Sequence, residues 1–189
     1  MADTPITYNC RTTLAEIRDQ DMRDQHWRKL LTHLGKSKAD IEPLHLVRVI
    51  EGAGFYAALW CLRCPSLERL SRHYQAWCAE KVLHRFESVF PDDSRIRDQI
   101  AVLRRDDANR EERADARDAA WLAASAAEWA GRDRPEAAEA ARVAAWDSAA
   151  IAAGELAATL AKDPTQTTAR DSEWDALEHQ LRKMIGAAG

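Results

Sequence analysis

Glycine is scarce in this chain, with 7 among 189 residues, and neither a G-x-G-x-x-G nor a G-x-x-x-x-G-K-[ST] run occurs. Both loops need glycines that let the backbone approach a phosphate between a strand and a helix, so nucleotide chemistry is not expected. Long apolar runs are missing too. No segment approaches the ~20 apolar residues of a membrane span. The opening MADTPITYNC lacks the basic and apolar regions of a secretory signal, so a cytoplasmic protein without membrane contact is expected. In that compartment Cys10, Cys61, Cys64 and Cys78 are expected as reduced thiols and not as a disulfide framework. Charge of one sign is lacking as well: 31 acidic and 27 basic residues are mixed along the chain, for a net charge of −4. Without a basic face, direct binding of nucleic acid is not expected.

What the chain has instead is alanine. It fills nearly half of Ala114–Ala161, where the large side chains include Trp121, Trp129 and Trp146. Alanine has the highest intrinsic helix propensity, so this stretch reads as helix, with methyl-lined helices meeting closely and indoles filling the gaps between them. Alanine buries little area per residue, and the 7 tryptophans are therefore expected to carry an unusual share of the core. The expected fold is all-α, a compact bundle of about eight helices in antiparallel hairpins or a short solenoid of such hairpins. A single domain is expected over 1–189, with an amino-terminal helical half (1–105) followed by an alanine-rich hairpin and a last helix (106–189).

Local signals place the helices. Thr13-Leu14-Ala15-Glu16 has the form of a capping box. Asp21 is the expected cap of a helix that buries Trp27, Leu30, Leu31 and Leu34 and ends at Gly35. Lys36–Glu42 reads as a loop, and Pro43 as the first turn of a helix through Leu44, Leu46, Val47, Val49 and Ile50 that ends at Gly52. Gly54 opens a deeply buried helix that Pro65 stops. Ser66 is the expected cap of a long amphipathic helix running to Phe90. Asp93 or Ser94 then restarts a helix with an inward stripe of Ile96, Ile100 and Leu103. Gly131 should end one alanine helix and Pro135 begin the next. A polar connection, KDPTQTT, leads to a last helix carrying Trp174, Leu177, Leu181, Met184 and Ile185.

Few constellations invite chemistry. Cys61 and Cys64, three apart on a helix, could be completed by His73 and Cys78 into a zinc tetrahedron, but cysteines within a run of core residues read as small buried hydrophobes. No metal and no cofactor is expected. The six histidines, His26, His33, His45, His73, His84 and His179, fall in expected helices among polar neighbours, without an HExxH pattern. Glu80, Glu87, Asp92 and Asp93 cluster where the long helix ends and could pair with Arg95 and Arg97 as a turn clamp. Arg104–Asp118 alternates in sign, as a solvated helix face with i,i+4 pairs does. The tryptophans lack interleaved lysine or arginine on the same face, so a base-stacking platform is not expected.

Three blocks, WRKLLTHLGKSKADIEPLHLVRVIEGAGFYAALWCLR (Trp27–Arg63), CAEKVLHRFESVFPDDSRIRDQI (Cys78–Ile100) and the alanine-rich pair ending in SEWDALEHQLRKMI (Ser172–Ile185), together resemble the Imm-5-like family of bacterial immunity proteins. The middle block carries the most specific part, the order Glu87, Phe90-Pro91, Asp93, Arg95, Arg97. Ile96 stands where the family usually has proline, and the second alanine helix lacks the histidines often seen there. The resemblance implies a non-catalytic protein that binds and neutralises a polymorphic toxin. A phage-borne inhibitor of a bacterial defence complex, of the anti-CRISPR type, is the alternative on the same scaffold, and a Cys/His metal or redox protein is another. Against a basic nuclease, the landing sites would be the turn with Asp92, Asp93, Arg95 and Arg97 and the face with Asp106, Asp107, Glu111, Glu112, Asp115 and Asp118. Charge would speed encounter and aromatic anchors would supply most of the affinity. A monomer or a weak homodimer is expected.

Overall fold

The computed structural model describes residues 7–130, 135–146, 149, 151–154, 156 and 169–186, with the side chains of 169–173 outside the description. The chain is all-α apart from one short ladder, and it divides into two units: Met1–Leu70 with Glu178–Gly189, and Ser71–Leu177.

In the first unit Thr13 caps α1 (Leu14–Asp19), its hydroxyl accepting from the Glu16 N–H at 3.1 Å, as the box predicts. The Glu16 carboxylate goes elsewhere. It accepts from the hydroxyls of Thr12 at 2.7 Å and Ser66 at 2.5 Å. A charged acceptor is the stronger partner for a hydroxyl, so Ser66 ties two chain segments together and is not the cap of the long helix. Pro65–Leu67 forms a single 3₁₀ turn instead.

The cap expected at Asp21 is also corrected, because α2 spans Asp24–Leu34. Asp21 lies in the left-handed region at φ +53°, and its N–H bonds to Arg18 O at 3.2 Å. Aspartate tolerates that conformation better than most residues, so it closes α1 rather than opening α2. Gly35, at φ +64°, caps the far end of α2 as expected, and Trp27 and Leu30 are the buried members of its apolar face.

Pro43 does not start a helix. Pro43–His45 (β2) pairs antiparallel with Arg11–Thr13 (β1), with Thr13 opposite Pro43 and Arg11 opposite His45. At the end of so short a ladder a missing N–H costs little. His45 thus stands outside any helix, and its Nδ1 accepts from the Val47 N–H at 3.2 Å to cap α3 (Leu46–Ala53). Burial, with Arg11 nearby, pushes the His45 pKa down, which keeps that nitrogen an acceptor. Gly52 is the last helical turn's close-approach residue and not its end. Gly54, at φ +90°, joins α3 to α4 (Phe55–Cys61), whose Phe55, Ala57, Ala58, Leu59 and Cys61 are all buried.

Helix α5 (Glu68–Glu87) supplies the core of the second unit. From Arg72 to Ala79 every residue except Trp77 is buried, so the one-sided stripe expected here is replaced by a helix covered on most faces. Its buried polar groups serve neighbouring backbones. Arg72 Nη1 donates to Leu103 O at 2.7 Å and Arg105 O at 2.9 Å, closing the end of α6 (Arg95–Arg104). Tyr74 donates to Leu177 O at 2.9 Å, and Gln75 donates to Trp146 O. Ile96, Ile100 and Leu103 point α6 inward as expected.

Helices α7 (Arg110–Ala130) and α8 (Pro135–Ala145) form an antiparallel hairpin. Asn109 and Glu112 exchange bonds in a reciprocal box, Asn109 N–H to Glu112 at 2.8 Å and Glu112 N–H to Asn109 at 3.0 Å. Residues 105–109 are therefore a loop, and Arg104–Asp118 is not one helix face. Ala120, Ala123, Ala124 and Ala127 of α7 are buried, as is most of α8. Pro135 opens α8 as expected, whereas the end assigned to Gly131 and the KDPTQTT connection lie outside the described residues. The last helix, α9 (Ala169–Met184), buries Leu177 and Leu181.

The role given to the tryptophans needs correction. Trp121 and Trp146 do meet edge to face, with centroids 5.0 Å apart, yet both are half-buried and Trp129 is 91% exposed. The largest fully buried side chains are Tyr74 and Phe86, followed by leucines and isoleucines. Backbones brought close by methyl groups leave no room for an indole between them, and tryptophan is too large to be covered completely as a rule.

Candidate protein-binding surface

The thiols lie in the interior. Burial raises the Cys61 and Cys78 pKa values well above the ordinary range and pushes Cys64 up to about 11, which suppresses the free thiolate that a nucleophile requires. Cys61 ends α4, and Cys64 stands beyond it as the residue before the 3₁₀ turn. Among the described residues no three His, Cys, Asp or Glu side chains stand together so as to hold a metal ion. His73 is buried, contrary to a polar surface setting, with Nε2 3.9 Å from Asp106.

The acidic turn is a clamp. Asp93 holds Arg95 with Nε at 2.9 Å and Nη2 at 2.6 Å, and also accepts from the Arg95 N–H at 3.1 Å. The Arg95 guanidinium holds the Asp93 carboxyl below the usual carboxylate range. Arg97 binds Glu87 through Nε at 3.0 Å, and Arg104 reaches Glu80 at 2.5 Å. Val89 to Arg95 line an open hollow of about 590 Å³. Asp92 on its rim is exposed and makes no ion pair or hydrogen bond among the described residues.

Most carboxylates of the second stretch are engaged as well. Asp106 lies 3.5 Å from Arg72, while Arg105 bridges Asp107 at 3.0 Å and Glu112 at 3.3 Å. Asp118 takes the adjacent Arg117 at 3.2 Å. These pairs are not the i,i+4 pairs expected, because the Asn109 cap shifts the helix start past Arg105. Glu111 and Asp115 are exposed and make no such pair among the described residues.

Helical phase gathers the outward residues of α7 into one stripe. At about 100° per residue, Glu111, Asp115, Asp118, Leu122, Ser125, Ala126 and Trp129 fall within roughly 60° of one line, opposite the buried alanines, and all seven are exposed. The stripe is acidic along its first half and apolar along its second, where Leu122 is 64% and Trp129 91% exposed. These two residues were missed as surface groups because composition suggested an inward indole. The 3–4 spacing from Glu111 and Asp115 to Leu122 and Trp129 was the signal that carried their true direction.

Arginines do meet aromatics in the first unit, which corrects the view that such pairs are missing. Arg23 lies over Tyr56 at 5.7 Å and Arg63 over Trp60 at 4.8 Å. The Arg23–Tyr56 pair joins the residue before α2 to α4, so spacing along one helix does not reveal it. Among the described residues no helix is long and apolar enough to cross a membrane. Comparison of the chain with protein-family models, with curated proteins and with solved structures returns no match.

Proposed function

We propose that the chain is a non-catalytic inhibitor of the immunity-protein kind, which neutralises a basic partner protein, a toxin or nuclease, by docking through the acidic half of α7. The observation that carries this reading is the pair Glu111 and Asp115. They share one face with Asp118, are exposed and make no ion pair among the described residues, while Asp93, Glu87, Asp107 and Glu112 each hold an arginine. Carboxylates already neutralised within the fold attract a partner weakly. Those left over form a local negative field that steers a cationic surface and fixes its register. The buried, un-ionised thiols support a role for the outside of the molecule rather than its interior.

Co-expression with the toxin encoded beside the gene in its source genome tests the reading. Growth should be rescued by the wild-type chain and lost with Glu111→Lys/Asp115→Lys, two exposed substitutions that leave the helix intact. Failure of the wild-type chain to rescue, or undiminished rescue by the charge-reversed variant, would overturn it.

A further inference from the structure

Helix α4 is buried on most sides, and its outward positions are Tyr56, 41% exposed, and the half-buried Trp60, one helical turn further on. A guanidinium lies on each ring, Arg23 at 5.7 Å from the Tyr56 centroid and Arg63 at 4.8 Å from that of Trp60. Both arginines are exposed and make no ion pair or hydrogen bond among the described residues. We propose that this face of α4 docks an acidic peptide segment of a partner protein, each guanidinium taking one carboxylate.

The rings hold the arginines ready. Trp60 is fixed by its Nε1–H, which donates to Gln20 O at 2.6 Å and ties the segment before α2 to α4, and His26 packs against Tyr56 with ring centroids 5.4 Å apart. A guanidinium stacked through its flat face keeps its N–H edge for a second partner, and a carboxylate matches that edge with two parallel bonds. The same unit shows the arrangement completed. Arg18, 5.5 Å over Trp27, lies 3.6 Å from Asp24, and Arg69, over Tyr8, donates to Thr7 O at 3.1 Å. Arg23 and Arg63 are stacked alike without an internal acceptor, so charge complementarity points to carboxylates from outside the chain. Phosphate fits the same edge, but the exposed Asp19, Asp21 and Asp24 stand around Arg23 in sequence and break the continuous basic track that a nucleic acid follows. A short peptide with two carboxylates needs no such track. Helix α4 belongs to the first unit and α7 to the second, and docking here does not rest on the acidic stripe.

Fluorescence anisotropy on the full chain, with a labelled peptide of alternating aspartate and glycine, should show saturable binding with a Kd below about 1 mM at low salt. The same peptide with asparagine for aspartate should not bind. Arg23→Gln/Arg63→Gln alters only exposed positions, and should weaken binding about tenfold with little change in the thermal melt. Arg23→Lys/Arg63→Lys keeps the charge but loses the paired geometry, so it should restore little of the affinity. Failure of the aspartate peptide to bind, equal binding of the asparagine peptide, or full affinity in either double variant would overturn the proposal. So would tighter binding of a thymidine oligonucleotide, which marks a nucleic-acid face, or self-association that the glutamine pair abolishes in sedimentation velocity, which gives the face to a second copy.

Discussion

Replacing Gly52 by alanine should destabilise the protein, although the same change inside an ordinary helix stabilises it. Gly52 lies in α3, where removing a glycine's backbone freedom normally gains about 0.5–1 kcal/mol. Here the added Cβ would fall 2.7 Å from His33 Cγ and Cδ2 and 2.8 Å from His33 Cβ. Rotating the His33 side chain moves the ring but leaves its Cβ, so α2 and α3 must part by several tenths of an ångström. Overpacking of this kind costs about 1–3 kcal/mol, and the balance is a net loss of about 1 kcal/mol, or a fall in Tm of roughly 2–4 °C for a chain of this size. Thermal and urea melts of Gly52→Ala, His33→Gly and the double variant measure it. In the His33→Gly background, Gly52→Ala should become stabilising, with a coupling of about 1–3 kcal/mol between the two sites. A higher Tm for Gly52→Ala alone, or an equal effect in both backgrounds, would refute the close approach of α2 and α3.

Further outcomes follow from the caps, thiols and clamp. Asn109→Ala should cost about 1 kcal/mol in a urea melt by removing the acceptor that caps α7, while Asn109→Asp keeps it and should be near neutral. A thiol reagent at pH 8 should not label Cys61, Cys64 or Cys78 until denaturant is added. Because folding raises the Cys64 pKa from 9.0 to about 11, its contribution to stability is complete below pH 9 and is lost as the pH rises towards 11, a fall that Cys64→Ala should reduce in alkaline melts. Asp93 has the opposite sign: its folded pKa lies below 3.8, so its contribution is present above that value and lost as the pH falls through the lowered one. Solvent screening limits it to about 0.5–1 kcal/mol, and Asp93→Asn should flatten the acid limb of the stability profile by that amount.

The features legible in the sequence are those decided within a few residues. The Thr13 cap, the left-handed Gly35, the inward stripe of α6 and the start of α8 at Pro135 each depend on their immediate neighbours. Pro43, Asp21 and Ser66 were misread because a competing partner claims each of them: the β1 strand, the closing turn of α1, and the Glu16 carboxylate. The Asn109 box was readable as Asn-Arg-Glu-Glu, but alternating charge concealed it. At the candidate site the residue types were evident, and their availability was not. Whether a carboxylate is free depends on arginines such as Arg72, which reaches Asp106 from a different helix. Trp129 shows how composition misleads when helical phase is ignored.

The enclosure of α8 by alanine has an evolutionary consequence. From Ala137 to Ala145 all residues but Arg142 are buried, and six of those eight are alanines, whose single methyl group has no rotamers to lose on folding. Such a helix is sensitive to bulk more than to polarity: serine in place of alanine disturbs it mildly, while leucine forces the hairpin apart. The inner side of the hairpin is thus held to small residues at most positions, a limit that does not apply to the outward side of α7.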